Sequence, residues 1–314
     1  MISIALLSWL ASRMDWEQLV RVFTQLRLEW WLAAVGLYIM TQIVSAFRWQ
    51  LLAGPLGFRQ PLAHYTGYYF VGMFFNLFLP TSVGGDVVRA LYLDGGAGRK
   101  LPAFLSTFVE RFSGLLVLLA IACVAALFCP VDAPWIRWSV WGTGACAVVG
   151  LLALPSLTRW TGRFARLRRL TEDAQIYLSH PHLLAYATLL SLVVQAANVG
   201  VVWLTGQAMG IVVPGAYYWI FVPMVTLLTL VPISLNGIGV REGGTALFLA
   251  PLGIGETTAL SLAFLWFAVF TVASLLGGGV YLFGRFSRPR VQDHHGPIDC
   301  DSHQGRARQL EAAA

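Results

Sequence analysis

Between Phe75 and Leu93 the chain reads FNLFLPTSVGGDVVRALYL. An apolar run breaks at Pro80, passes through Gly84 and Gly85, and then presents Asp86 and Arg89. Charge is scarce elsewhere. Only 11% of the 314 residues are charged and 57% are hydrophobic, whereas a soluble domain carries about 25% charged residues. Too little polar surface remains to cover a soluble particle, and several apolar runs reach the ~20 residues that cross a bilayer. The chain reads as an all-α polytopic membrane protein of about six to eight transmembrane helices. Two charges inside such a run therefore require an explanation.

Crossing helices are expected at Met1–Ala11 (short), Trp30–Leu52, Leu101–Phe128, Trp135–Leu154, His182–Met209 and Glu256–Phe283. The N-terminus lacks a basic region and reads as a short helix rather than a signal peptide. Residues Met14–Glu29 have the spacing of an interfacial amphipathic helix. The membrane domain covers residues 1–284, and residues 285–314 have the polar composition of a disordered tail. The net charge of +6 is dispersed over loops and tail, which argues against nucleic-acid binding. His294, His295, Cys300 and His303 fall in that tail and read as solvated. Cys123, Cys129 and Cys146 read as small core residues. No metal and no cofactor is expected.

Five arginines between Arg159 and Arg169 place the loop 158–179 in the cytoplasm by the positive-inside rule, together with the tail. Two further apolar stretches, Leu62–Leu79 and Tyr217–Val231, would upset this accounting if each crossed fully. They fit it if each dips in and returns, the first from the cytoplasm and the second from outside. Both run into related segments: PTSVGGDVVR (80–89) and PISLNGIGVR (232–241) share Pro, Ser, Gly, Val and Arg at five of ten positions. Inverted repeats carrying broken helices near the midplane recur in transporters.

The chemistry of such a segment is specific. Pro80 and Pro232 end regular structure, and Gly84, Gly85, Gly237 and Gly239 permit positive φ or close approach. Asp86, or Ser234 and Asn236, is expected to cap the half-helix that follows. Ser82 occupies the place of Ser234 in the first copy. A half-helix N-terminus favours an anion, and Arg89 and Arg241, one turn on, can grip a phosphate bidentately. Glu110 and Arg111 lie deep in the apolar run of 101–128, and Glu242 follows Arg241. Intramembrane charges of this kind cost about 2.5–3.5 kcal/mol each and face a cavity or one another. An Arg–carboxylate clasp between the two copies would satisfy them without any ligand. Asp86, Glu110 and Glu242 are the candidate proton carriers. Arg48, near a helix end, is expected to snorkel. Asn76, Gln195 and Asn198 are expected to make interhelical hydrogen bonds.

RWQLL, FFNLFLPTSVGGDVVRALYL, FVERFSGLLVLL and VPISLNGIGVREGG, in this order, resemble the transmembrane part of the lysylphosphatidylglycerol synthases, a flippase-like family. The resemblance runs from about Trp30 to Phe283. It implies a bacterial inner-membrane protein that moves, or helps to move, a lipid between leaflets. By position, its weight falls on Asn76, Pro80, Gly84, Gly85, Asp86, Arg89, Glu110, Arg111, Pro232, Ser234, Gly237, Gly239 and Glu242. Asn236 stands where many relatives carry Gly. The aminoacyl-transferase domain of the bifunctional members has no counterpart in the short polar segment after Phe283, so that activity is not carried over. One stand-alone branch accompanies hopanoid synthesis and others accompany polyprenyl-linked sugar pathways.

The expected partner is a membrane lipid with an anionic or polar head group. A lipid-biosynthesis enzyme partner and a homodimer stay open. Two alternatives to a transporter remain: a non-catalytic membrane subunit, and an intramembrane transferase using the Asp, Glu and Arg set.

Overall fold

The structure is a computed structural model, and it describes residues 24–79, 84–129, 133–161, 176–177, 179–230 and 237–284. Among these, nine α-helices are present: α1 (Leu28–Ala53), α2 (Leu62–Phe78), α3 (Gly84–Asp94), α4 (Lys100–Phe128), α5 (Pro134–Thr161), α6 (Pro181–Ala208), α7 (Gly215–Thr229), α8 (Val240–Leu249) and α9 (Glu256–Phe283). A 3-10 turn, Ala250–Leu252, follows α8. No strand occurs among the described residues. Five helices, α1, α4, α5, α6 and α9, are long and apolar enough to cross a membrane. The expected helix Met1–Ala11, most of Met14–Glu29 and the tail from residue 285 lie outside the described residues.

The remaining helices are shorter. At 1.5 Å per residue α2 spans about 26 Å and α7 about 22 Å, less than the ~30 Å hydrocarbon core. Each is joined to a partner helix that carries the chain back. Gln60 Nε2, just before α2, donates to Leu93 O near the end of α3 at 3.2 Å. Arg99, just after α3, donates to the Leu56 and Gly57 carbonyls ahead of α2. The α2–α3 hairpin therefore ends where it began, on what we term the near side. The α7–α8 hairpin does the same at the opposite end, the far side, where the Tyr217 hydroxyl donates to Phe248 O and Trp135 at the start of α5 meets the Phe248 ring. Both segments have the dip-and-return geometry expected from the loop charges.

Helix directions follow from side-chain and terminal contacts. Arg27 N donates to Ala208 O at 2.9 Å, and the Tyr177 hydroxyl, ahead of α6, donates to Leu52 O. So α1 and α6 run antiparallel. Each end of the bundle has its own apolar core. The near-side core joins Trp49, Leu52, Tyr65, Tyr69, Leu93 and Ala103; the far-side core joins Ala126, Ile136, Tyr217, Phe221, Phe248 and Leu249.

The principal packings are α1 on α6, α2 on α9, α4 on α7, α2 on α3, α7 on α8, α3 on α4, α8 on α9, α1 on α2, α6 on α7, α4 on α6, α1 on α9, α1 on α4, α6 on α9 and α4 on α5. Interchanging α1 with α6, α2 with α7, α3 with α8 and α4 with α9 returns the same set, apart from the pairing of α4 with α5.

Candidate functional site

The first hairpin is tight because it has little side chain between its arms. A Cβ on Gly72 would lie 2.8 Å from Gly85 O, and one on Gly85 would overlap Gly72 O. Asn76 Oδ1 accepts from Gly85 N at 2.7 Å, satisfying one of the donors that a helix start leaves unpaired. This seats the first turn of α3 against α4 with Asp86 and Arg89 facing it.

Five charges meet there. Glu110, fully buried, receives Arg89 Nη2 on Oε2 at 2.7 Å and Arg48 Nη2 on Oε1. Arg48 Nη1 also donates to Ser191 Oγ of α6 at 2.6 Å. Asp86 Oδ1 lies 3.1 Å from Arg89 Nε, and Arg111 grips the same carboxylate through Nε and Nη2 at 2.9–3.2 Å. Arg89, 2% exposed, lies 5.0 Å and 4.7 Å from the ring centroids of Trp49 and Tyr69, within cation–π range. The cluster thus ties α1, α3, α4 and α6 together and opens outward through Arg111, whose side chain is 46% exposed, and Asp86 at 14%.

The second hairpin is built differently. Gly239 adopts φ +88°, and its backbone N donates to Glu242 Oε2 at 2.5 Å. This is the carboxylate half of a capping box. Arg241 Nη2 reaches the other oxygen of Glu242 at 3.3 Å. The Arg241 guanidinium lies 4.4 Å from the ring centroid of Phe267 on α9. Phe267 stacks with Phe270, which meets the edge of Tyr38 on α1. Phe267 stands about three turns into α9, the depth at which Glu110 and Arg111 stand in α4.

The family model for the lysylphosphatidylglycerol synthase TM region matches residues 1–278. The chain belongs to that family. Membership places it among membrane domains associated with lipid handling. No curated protein matches the chain closely enough to name a relative.

Of the candidate site residues, the structure brings Asn76, Gly84, Gly85, Asp86, Arg89, Glu110 and Arg111 into one site and Gly237, Gly239, Arg241 and Glu242 into a second. Pro80, Ser82, Pro232, Ser234 and Asn236 lie outside the described residues. Three expectations for charged residues change. Arg48 does not snorkel: it is 4% exposed and held by Glu110 and Ser191. Asp86 pairs with Arg89 and Arg111, and the described caps come from Asn76 and Glu242. Among the described residues, the Arg–carboxylate contacts stay within each copy and do not clasp one copy to the other.

Arg48 is the site residue that the sequence reading misplaced. Its partners lie 62 and 143 positions away, so no local pattern announces them. The usable signal was an orphan Glu in an apolar run opposite an unexplained Arg. Gln195 makes the expected interhelical hydrogen bond, whereas Asn198 bonds within its own helix. Gln195 Nε2 donates to Gly114 O at 2.9 Å and Asn198 Nδ2 to Gln195 Oε1 at 3.1 Å.

A groove of about 450 Å³ is lined by Ile121, Val124, Phe128, Leu192 and Trp219, among other apolar residues. Glu110, Gly114, Ile121 and Phe128 recur along one stripe of α4, spaced for a single helix face. The groove therefore continues, toward the far side, the face of α4 that carries the charge cluster.

Proposed function

We propose that this protein is a transporter that carries a lipid head group from one leaflet to the other, its hydrocarbon staying in the bilayer. The observation that carries the reading is the five-charge cluster at Arg48, Asp86, Arg89, Glu110 and Arg111. It sits where a hairpin from the near side turns back, well inside the bundle. Buried charges in membrane helices face one another or a polar path. This cluster does the first on its inner side and opens on its outer side.

The interchange of packing partners between α1–α4 and α6–α9, with α1 antiparallel to α6, supports an inverted repeat. Transporters of that plan expose a midplane site to each side in turn by rocking one repeat against the other. The apolar groove along α4 offers the hydrocarbon a path from the cluster's helix face toward the far side. Bacterial inner membrane is the expected location, with the near side cytoplasmic.

One observation favours a second reading, a non-transporting membrane subunit. Both oxygens of Glu110 are already engaged by arginines, as a purely structural lock would require. The two separate in liposomes carrying fluorescent phospholipid and polyprenyl-phosphate analogues, with leaflet exposure followed by dithionite. The transporter reading expects exchange by the wild type and its loss in folded Arg89→Ala and Glu110→Gln proteins. Absence of exchange by folded wild type for every lipid tested would favour the subunit.

A further inference from the structure

The cluster at the first hairpin does not balance. Arg48, Arg89 and Arg111 face two carboxylates, Asp86 and Glu110. The link between α2 and α3, residues 80–83, reads PTSV and carries no ionisable side chain. Arg99 and Asp94 belong to the near-side turn, where the Arg99 backbone N donates to Asp94 and its guanidinium serves carbonyls and the Phe58 ring. Arg241 and Glu242 neutralise each other at the second hairpin. Among the described residues, one positive charge is left over at membrane depth.

Two further facts locate it. Arg89 is 98% buried, and its Nη1 has no hydrogen-bond acceptor among the described residues. A buried guanidinium nitrogen left without an acceptor carries a desolvation penalty that a ligand oxygen removes. Beside Arg89 Nε, Asp86 and Arg111 form the accessible rim of the same cluster.

We propose that this site takes a lipid head group with one net negative charge, a phosphodiester monoanion, received by Arg111 at the rim with Arg89 behind it. The proposal rests on the transporter reading for the ligand's being a lipid. One charge completes the set. A phosphodiester offers two unbridged oxygens to two guanidinium groups, the pairing for which arginine is suited. A phosphomonoester dianion would leave the site negative by one. A zwitterionic head group would bring an ammonium to carboxylates whose oxygens arginines already occupy.

The test is binding to purified full-length protein, read by tryptophan fluorescence, because Trp49 adjoins Arg89. The probes are short-chain phosphatidylglycerol, phosphatidylethanolamine, phosphatidic acid at about pH 8, where a phosphomonoester is largely dianionic, and water-soluble glycerophosphoglycerol. Phosphatidylglycerol should bind at least about tenfold more tightly than either other lipid. Asp86→Asn, which raises the site by one charge, should shift the preference about tenfold toward phosphatidic acid. Arg111→Gln, which removes the surplus, should weaken phosphatidylglycerol about tenfold and erase most of its advantage over phosphatidylethanolamine. Both substitutions lie at the accessible rim, and thermal unfolding of each variant verifies its fold.

Equal binding of the three lipids, or an order unmoved by both substitutions, overturns the proposal. Glycerophosphoglycerol binding as tightly as the lipid overturns its lipid part. Leaflet exchange is measured beside binding. Exchange without charge selectivity sinks this inference alone, whereas selective binding without exchange sinks the transporter reading alone.

Discussion

The two hairpins share a backbone plan and differ in what neutralises their arginine. In the first, Arg89 pairs with a carboxylate on another helix, and Arg48 from a third helix pairs with the same group. In the second, Arg241 pairs with its own neighbour and rests on an aromatic ring. An ion pair between helices fixes their relative position, whereas a pair within one turn of helix travels with it. By this logic the first hairpin is anchored to the bundle through charge, and the second is held to α9 by softer contacts.

Glu110→Gln offers the most severe way to break that contrast. It leaves Arg48 and Arg89 short of their shared partner, and removing one member of a buried ion pair costs about 3–5 kcal/mol. Unfolding in mixed detergent should show a loss of that size. Glu242→Gln removes a cap worth about 1 kcal/mol and one longer contact to a single arginine, so its loss should be the smaller of the two. Equal losses for the two glutamates would contradict the asymmetry. Next in size is Gly85→Ala, whose Cβ meets Gly72 O across the hairpin; overpacking of this kind costs about 1–3 kcal/mol. Gly243→Ala, on the second hairpin, has open space around it and should leave stability unchanged or slightly raised in the same measurement.

Phe267→Leu sharpens the picture of the second hairpin. Loss of the cation–π contact should cost about 0.5–2 kcal/mol, and the cost should shrink when Arg241 is already Met, as a double-mutant cycle reads. Smallest is Arg111→Gln. Its guanidinium is half exposed, and exposed ion pairs contribute about 0–1 kcal/mol. A large loss of stability there would mean that the rim of the cluster is structural after all.

Much of the fold was legible because membrane burial imposes long apolar runs. Glu256–Phe283 was expected and found with the same ends, and Trp30–Leu52 became Leu28–Ala53. Loop arginines were enough to suggest that both short segments return to the side they leave. Side-chain pairing was less legible. The sequence places Arg241 and Glu242 next to each other, and Gly239-x-x-Glu242 has the spacing of a cap. Nothing local in the sequence links Arg48 to Glu110 or Asn76 to the backbone of Gly85, since those contacts depend on how three helices meet. The five shared residues of the two motifs also disguised a difference: Ala90 follows Arg89 where Glu242 follows Arg241. At that position the second arginine finds its carboxylate next to it, whereas Arg89 shares Asp86 of its own helix with Arg111 and reaches Glu110 on another.

One helix stands apart from the interchange of packing partners. α5 packs on α4, and much of its surface, including Trp138, Val149 and Leu152, is exposed. On the inverted-repeat reading its role is one of parity. Four helices whose middle pair dips and returns make an even number of crossings, so a second copy joined directly would insert in the same sense as the first. A single added crossing reverses it. α5 is then the spacer that turns a tandem duplication into two halves facing opposite leaflets, held by its first two turns, where Ile136 and Val140 are buried in the far-side core.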